Sequence, residues 1–286
     1  MIRKMMIGTA SAALLSGLTA VPAMAQDNPS AERTQTDPNA NTVTVGVGVG
    51  VIPRYDGADD YYVTPIGGAR GKLGGVGFSI IGLTAFTDFV PATAMTGGKF
   101  VLGPMAHLTL NRSDLRRNRD GRIAALGTIK PAVEVGAHAG YEWTGVITSD
   151  YDVLSLDVAV SHDVTGIHKS YIVSPSISYG TPLSQRIFVG LTVSADYVGG
   201  DYARTYYGIT PAQSAASGFP VYSLGAGFNS ANAGLIAGYS LSGDLRKGFT
   251  LFAAGNYSRL LGETARSPVV RDKNQLIGAI GIAYTF

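Results

Sequence analysis

The chain has no cysteine, only four histidines, and a charged fraction of 15%. Without cysteine it can build neither a disulfide framework nor a thiolate metal site. A metal would have to be held by histidine and carboxylate alone. The charged share is far below the ~25% usual in soluble domains. A net charge of +2 is too small to argue for a nucleic-acid partner. Past the N-terminal segment, no run approaches the ~18 consecutive apolar residues that a spanning helix needs.

What is present begins with Arg3 and Lys4, followed by the apolar stretch Met5 to Val21 and by Ala23-Met24-Ala25. A positive head, a greasy middle and a small-x-small box predict a secretory signal peptide over 1–25, cleaved after Ala25. Residues 26–41 are rich in Pro, Asn and Asp and nearly free of apolar side chains. They read as a flexible periplasmic tail.

From residue 42 the hydropathy period changes to two. Val43, Val45, Val47, Val49 and Val51 alternate with Thr44, Gly46, Gly48 and Gly50. A helix would smear these residues around its surface, whereas a strand sorts them onto two faces. The pattern recurs where Val133, Val135, Ala137, Ala139, Tyr141 and Trp143 interleave with Glu134, Gly136, His138, Gly140 and Glu142. It recurs again around Leu156 and Asp157, and around Leu191, Val193 and Asp196. Each stretch is long enough to cross a bilayer as a tilted strand, which takes about 9–11 residues. Aromatic residues sit near row ends, as an interfacial girdle requires.

In hydrocarbon every backbone donor and acceptor must be paired internally, so a spanning sheet must close on itself. The expected fold is therefore all-β: a transmembrane antiparallel β-barrel of about 10–12 strands over 42–286, preceded by the cleaved signal peptide and located in the cell outer membrane of a diderm bacterium. Candidate strands are 42–52, 60–70, 74–86, 98–111, 131–143, 150–163, 167–180, 185–198, 220–229, 232–242, 247–260 and 274–286. With both termini periplasmic, this count puts the long connections 112–130 and 199–219 on the periplasmic side, where turns are normally short.

Three groups of residues are candidates for function. Glu134, His138, Glu142, Asp157 and Asp196 predict a polar stripe facing the lumen. Steps of four along a strand are ~13 Å, too far for Glu134, His138 and Glu142 to share one metal. Arg112, Arg116, Arg117, Arg119 and Arg122 form a basic segment, read either as a solvated loop or as a contact for an anionic partner such as lipid phosphate. Ile280, Ile282, Tyr284 and Phe286 form an outward row that ends in an aromatic residue, like the signal by which the barrel-assembly machinery recognises its clients. No G-x-S-x-G elbow occurs, no cofactor is implied, and Gly46, Gly48 and Gly50 lack the helix a nucleotide site needs.

Several segments resemble one family. Tyr55-Asp56-Gly57-Ala58-Asp59-Asp60-Tyr61 follows the first strand. Tyr206-Tyr207-Gly208-Ile209-Thr210 precedes Ala216-Ser217-Gly218-Phe219-Pro220-Val221-Tyr222. Arg259-Leu260-Leu261-Gly262 precedes Ser267-Pro268-Val269-Val270, and the chain closes on Ala283-Tyr284-Thr285-Phe286. In order and spacing these segments resemble the MipA/OmpV family of outer-membrane proteins. The resemblance implies a non-enzymatic barrel. It also implies a scaffold role, with a murein transglycosylase and a peptidoglycan synthase as partners beside outer-membrane lipids and lipopolysaccharide. The alternatives are a passive pore for small solutes and a lipid-modifying barrel enzyme. The resemblance carries over no catalytic residues.

Overall fold

A computed structural model describes residues 39–92, 97–113 and 120–286. The expected signal peptide over 1–25 and most of the expected tail over 26–41 lie outside these residues. Asn39 and Asn41 do not behave as free tail. The Asn39 amide donates to the Ala92 carbonyl, and the Gly74 N–H donates to Asn41 Oδ1.

The described residues form twelve strands: β1 Thr42–Pro53, β2 Tyr61–Leu73, β3 Val76–Ile81, β4 Thr84–Asp88, β5 Gly97–Thr109, β6 Ala132–Thr144, β7 Val153–Asp163, β8 Tyr171–Pro182, β9 Ile187–Val198, β10 Gly227–Ser240, β11 Gly248–Leu260 and β12 Asn274–Thr285. Each pairs antiparallel with the next, and β1 closes on β12 from Thr44↔Thr285 to Val51↔Gly278. Three short helices lie in connections: α1 Gly121–Ala125, α2 Gly200–Tyr207 and α3 Pro211–Ser217.

Alternation sorts the side chains as a membrane barrel requires. Val45, Val47, Val49 and Val51 face outward and exposed, as do Leu156, Val158 and Val160. Glu134, His138 and Glu142 face inward and buried. Small inner residues let the seam close. At Gly281 a Cβ would come within 2.4 Å of the Val47 carbonyl oxygen and 2.5 Å of the Phe252 ring.

Two expected strand assignments change, and their effects on the count cancel. The stretch 74–86 breaks at Gly82 into β3 and β4, since Gly82 has a left-handed φ of 57°. The expected strand 220–229 lies mostly in a connection, with Tyr222 forming only a bridge to Ile209. The total stays at twelve, but the chain direction reverses between these two points. Connections 110–131 and 199–226 therefore lie at the end opposite the termini, together with 54–60, 164–170 and 261–273. The terminal end carries Gly74–Gly75, 89–96, 145–152, 183–186 and 241–247. Short turns mark the periplasmic end of an outer-membrane barrel and long loops the extracellular end. The periplasmic placement expected for the long connections is thus corrected.

Candidate functional site

The lumen holds two kinds of structure: ion pairs along its wall and a plug of loops at its outer mouth. The predicted stripe is not one cluster. It divides among three partnerships. Glu142 lies 3.6 Å from Lys99 Nζ, and Lys99 also bonds Asp88. His138 Nδ1 is 2.9 Å from Asp157, and its Nε2 meets the Thr87 carbonyl at 2.7 Å. Glu134 pairs with His168, a residue that inspection of strands alone gave no reason to select. Among the described residues no group of three metal-ligating side chains gathers.

Asp196 lies apart from these pairs, on β9. It accepts from the Ser174 hydroxyl at 2.6 Å, the Ser230 hydroxyl at 2.8 Å and the Asn232 amide at 3.2 Å. Ser194, Asn232, Ser258 and Gln275 lie side by side across β9 to β12 in one row of the register. The inner wall there is a surface of hydroxyls and amides.

The plug is assembled from five of the connections at the extracellular end. Tyr55, Ala58, Ile123, Leu126, Ile209, Phe219 and Val269 make one buried apolar cluster. Val198, Tyr202, Ala203, Tyr206, Tyr207, Leu224 and Leu260 make a second. Polar bonds tie the loops together. The Asp56 N–H donates to Asn111 Oδ1. The Arg271 N–H donates to the Gly57 carbonyl at 2.7 Å. The Gln213 amide donates to the Leu126 carbonyl, and the Ser267 hydroxyl donates to the Tyr207 carbonyl at 2.6 Å. The fifth loop joins through His168, whose ring packs edge-on against Tyr202 at 5.0 Å.

Local sequence sets these pieces. Thr210 and Gln213 form a capping box that starts α3, with Pro211 at its first position and left-handed Gly218 after its end. Asp120 caps α1 by accepting from the Arg122 N–H. Burial shifts the titrating groups of the plug. Asp56 is pushed up to about 7 by burial and by the Asp196 charge. Tyr202 and Tyr207 are raised well above their ordinary value, chiefly by burial.

The basic segment is not a uniform anion surface. Arg112 is only 1% exposed. Its guanidinium donates to the Tyr206 carbonyl at 3.1 Å and the Gly127 carbonyl at 3.3 Å. Burial lowers its pKa to about 10, against opposing pulls from Tyr55 and Tyr207. Its expected role as an anion contact is therefore corrected: it is a brace inside the plug, with φ at 57°. Arg122 donates to the carbonyls of Ser217 and Gly218 and stacks over Phe219 at 3.8 Å. Arg116, Arg117 and Arg119 lie outside the described residues.

Among the described residues, none of the four histidines combines a serine and an acid in the order that acyl transfer uses. Both nitrogens of His138 are taken, His107 Nδ1 meets the Thr84 hydroxyl, and His162 Nδ1 meets the Asp163 carbonyl.

The family model described as "MltA-interacting protein MipA" matches residues 45–286. No curated protein matches. Among solved structures, the toluene transporter TodX of Pseudomonas putida is 12% identical, with 98% of this chain and 97% of that chain covered and a TM-score of 0.35. The outer membrane channel DcaP of Acinetobacter baumannii is 11% identical over 86% and 96%, with a TM-score of 0.38. An anion-selective porin from Comamonas acidovorans is 10% identical over 86% and 99%, with a TM-score of 0.36.

Proposed function

The chain belongs to the MipA family, and from that premise we propose that it is a non-catalytic, plugged outer-membrane barrel that docks murein-processing enzymes at its periplasmic face. The observation that carries this reading is the plug. Four connections bond to one another over the lumen, and the fifth packs its His168 ring against Tyr202. An open passive pore would leave its mouth clear. Among the described residues, the face left for a periplasmic partner includes two hydrogen-bonded turns. Asp152 holds the turn 145–152 by accepting from the N–H groups of Val146 and Ile147 at 2.7 and 2.9 Å. Asp244 does the same for 241–247, bonded to Arg246. The family description names an interaction with MltA, which we take as the murein transglycosylase that the resemblance implies, and these turns are where such an enzyme would meet the barrel.

The test is capture of a purified murein transglycosylase by the refolded barrel. Substituting Asp244 and Arg246 with Ser is expected to weaken capture about tenfold, and deleting 211–217 is expected to leave it unchanged. Absence of capture by the unaltered barrel would end the reading.

A second reading, a pore that opens only when the plug moves, is favoured by the continuous polar wall of β9 to β12. Planar-bilayer recording separates the two. A silent wild type beside a conducting plug variant supports gating, and silence in both removes it.

A further inference from the structure

β3 and β4 are far shorter than their neighbours, and they leave a gap in the barrel wall. Pairing of β2 with β3 runs only from Gly68↔Ile81 to Leu73↔Val76. β4 meets β5 no higher than Thr84↔His107. Among the described residues, Tyr61 to Ile66 of β2 therefore has no strand on its β3 side. The gap has a sill and a lintel. Below, the Gly82 N–H donates to the Gly67 carbonyl at 3.3 Å, and the Leu108 N–H donates to the Leu83 carbonyl at 2.9 Å. Above, Asp56 and Asn111 exchange two hydrogen bonds of 3.2 Å.

The register says which backbone groups face the gap. The Gly67 carbonyl points toward β3. Backbone direction alternates along a strand, so the carbonyls of Val63 and Pro65 point the same way. Pro65 brings no N–H, and Pro is confined to such edges. The Pro65 carbonyl receives a long 3.4 Å bond from the Thr64 hydroxyl. The edge thus presents more acceptors than donors.

The gap begins within the membrane. Gly68 lies five residues above Leu73 at the periplasmic hairpin. At about 3.3 Å per residue and a tilt near 40°, that is ~13 Å, about half of a ~25 Å apolar band. Val63 is 68% exposed, and Pro65 is exposed beside it. Both continue the lipid-facing row of β1 through Val51↔Val63 and Val49↔Pro65. An open strand edge is not tolerated against plain hydrocarbon.

We propose that this gap is a binding site for one amide-linked, hydroxyacylated glycolipid of the outer leaflet, of the lipid A type. An acyl chain lies over Val63, Pro65 and Leu83. Amide and hydroxyl groups of the lipid donate to the carbonyls of Val63 and Pro65. The donor shortage selects the lipid. Where its chains join the headgroup, an ester-linked glycerophospholipid offers acceptors only, while an amide-linked hydroxyacyl chain offers donors at that depth.

The experiment is native mass spectrometry of the refolded barrel after equilibration with equal amounts of lipid A and phosphatidylglycerol in detergent. The expected result is one lipid A per barrel, retained about tenfold over phosphatidylglycerol. A variant with four residues inserted between Gly82 and Leu83, which lengthens the hairpin into the gap, is expected to lose that retention. Equal retention of the two lipids, or undiminished retention by the inserted variant, would overturn the proposal. Should that variant fail to fold, the wild type decides with lipid A carrying a diazirine in its acyl chain. Adducts concentrated on Val63, Pro65 and Leu83 support the site, and adducts spread equally over Val47 and Leu235 refute it.

Discussion

His168 Nε2 lies 2.9 Å from Glu134 Oε1, and neither side chain has any solvent exposure. Glu134 belongs to β6 in the wall, and His168 belongs to the loop between β7 and β8. The imidazole in turn carries the aromatic rings of α2, with Tyr202 at 5.0 Å and Tyr206 at 5.9 Å. One buried pair therefore joins the rigid barrel to the plug. Val198 and Leu260 at the ends of β9 and β11 also pack against α2, and the Gln275 amide of β12 donates to the Ala58 carbonyl, so the pair is one of several links between wall and loops, which open more easily than strands.

Replacing His168 with Ala leaves the Glu134 carboxylate buried without its partner. Leaving a buried hydrogen-bonding group without its partner costs about 1–3 kcal/mol. The loss is expected in the plug, because the ladder bonds of the barrel are untouched. Hydrogen exchange of 200–207 should accelerate by up to about a hundredfold, a factor that corresponds to about 2.7 kcal/mol, while β6 to β9 stay protected. Unchanged protection of α2 would show that the pair does not hold the plug.

Asp56 gives the plug a pH dependence of definite sign. Burial, with the Asp196 charge second, raises its carboxyl from 3.8 to about 7. A raised acid pKa means that the folded plug keeps a proton the unfolded chain has already released. Its contribution to stability is whole below about pH 4 and is lost as pH rises through about 7. Proteolysis within 199–226 should be slower at pH 5 than at pH 8. Asp56→Asn keeps an amide opposite Asn111 and cannot ionise, so this difference should flatten. A variant that keeps the full pH dependence would assign it to another group.

The barrel was legible in the sequence because lipid on one side and a wet interior on the other enforce period two. Val45 to Val51 and Leu276 to Phe286 show that sorting without help from tertiary structure. The sidedness of the loops was not legible. It turned on Gly82, a single left-handed residue inside what reads as one strand, and on Tyr222, whose only ladder contact is an isolated bridge. The plug was hidden for a different reason. Its clusters bring Tyr55, Ile123, Ile209 and Val269 together from four separate loops, and no local period records such a meeting. The same is true of His168, whose partner lies 34 residues away. Arg112 misled because a basic run looks solvated, whereas this guanidinium is consumed by two carbonyls.

At the seam, Gly281→Val tests whether the small inner face is a requirement for closure. The added Cβ meets a backbone oxygen at 2.4 Å and the Phe252 ring at 2.5 Å. The ring can swing, but the Val47 carbonyl belongs to the ladder between β1 and β12. Overpacking of this kind costs about 1–3 kcal/mol or more. The refolded fraction, read from heat-modifiable mobility, should fall sharply for Gly281→Val and only slightly for Gly278→Ala, where an added Cβ meets nothing. Equal behaviour of the two would mean that the seam tolerates bulk.

Deleting Phe286 separates an assembly role from a structural one. The Phe286 N–H donates to the Val43 carbonyl at 2.9 Å, and its ring meets Tyr284 edge-on at 4.8 Å, which meets Phe249 edge-on at 4.7 Å. The ring itself is 74% exposed on the lipid face. Its intrinsic stabilisation is that of one aromatic contact, about 0.5–1.5 kcal/mol, and one hydrogen bond of about 1 kcal/mol. Refolded in vesicles, the shortened chain should therefore lose no more than ~2.5 kcal/mol in urea unfolding. Inside a cell, if Ile280, Ile282, Tyr284 and Phe286 are read as an assembly signal, accumulation in the outer membrane should fall about tenfold or more. Such a gap between the two measurements is what a signal predicts and a packing contact does not. Matching losses in vesicles and in cells would reduce Phe286 to an ordinary member of the aromatic belt.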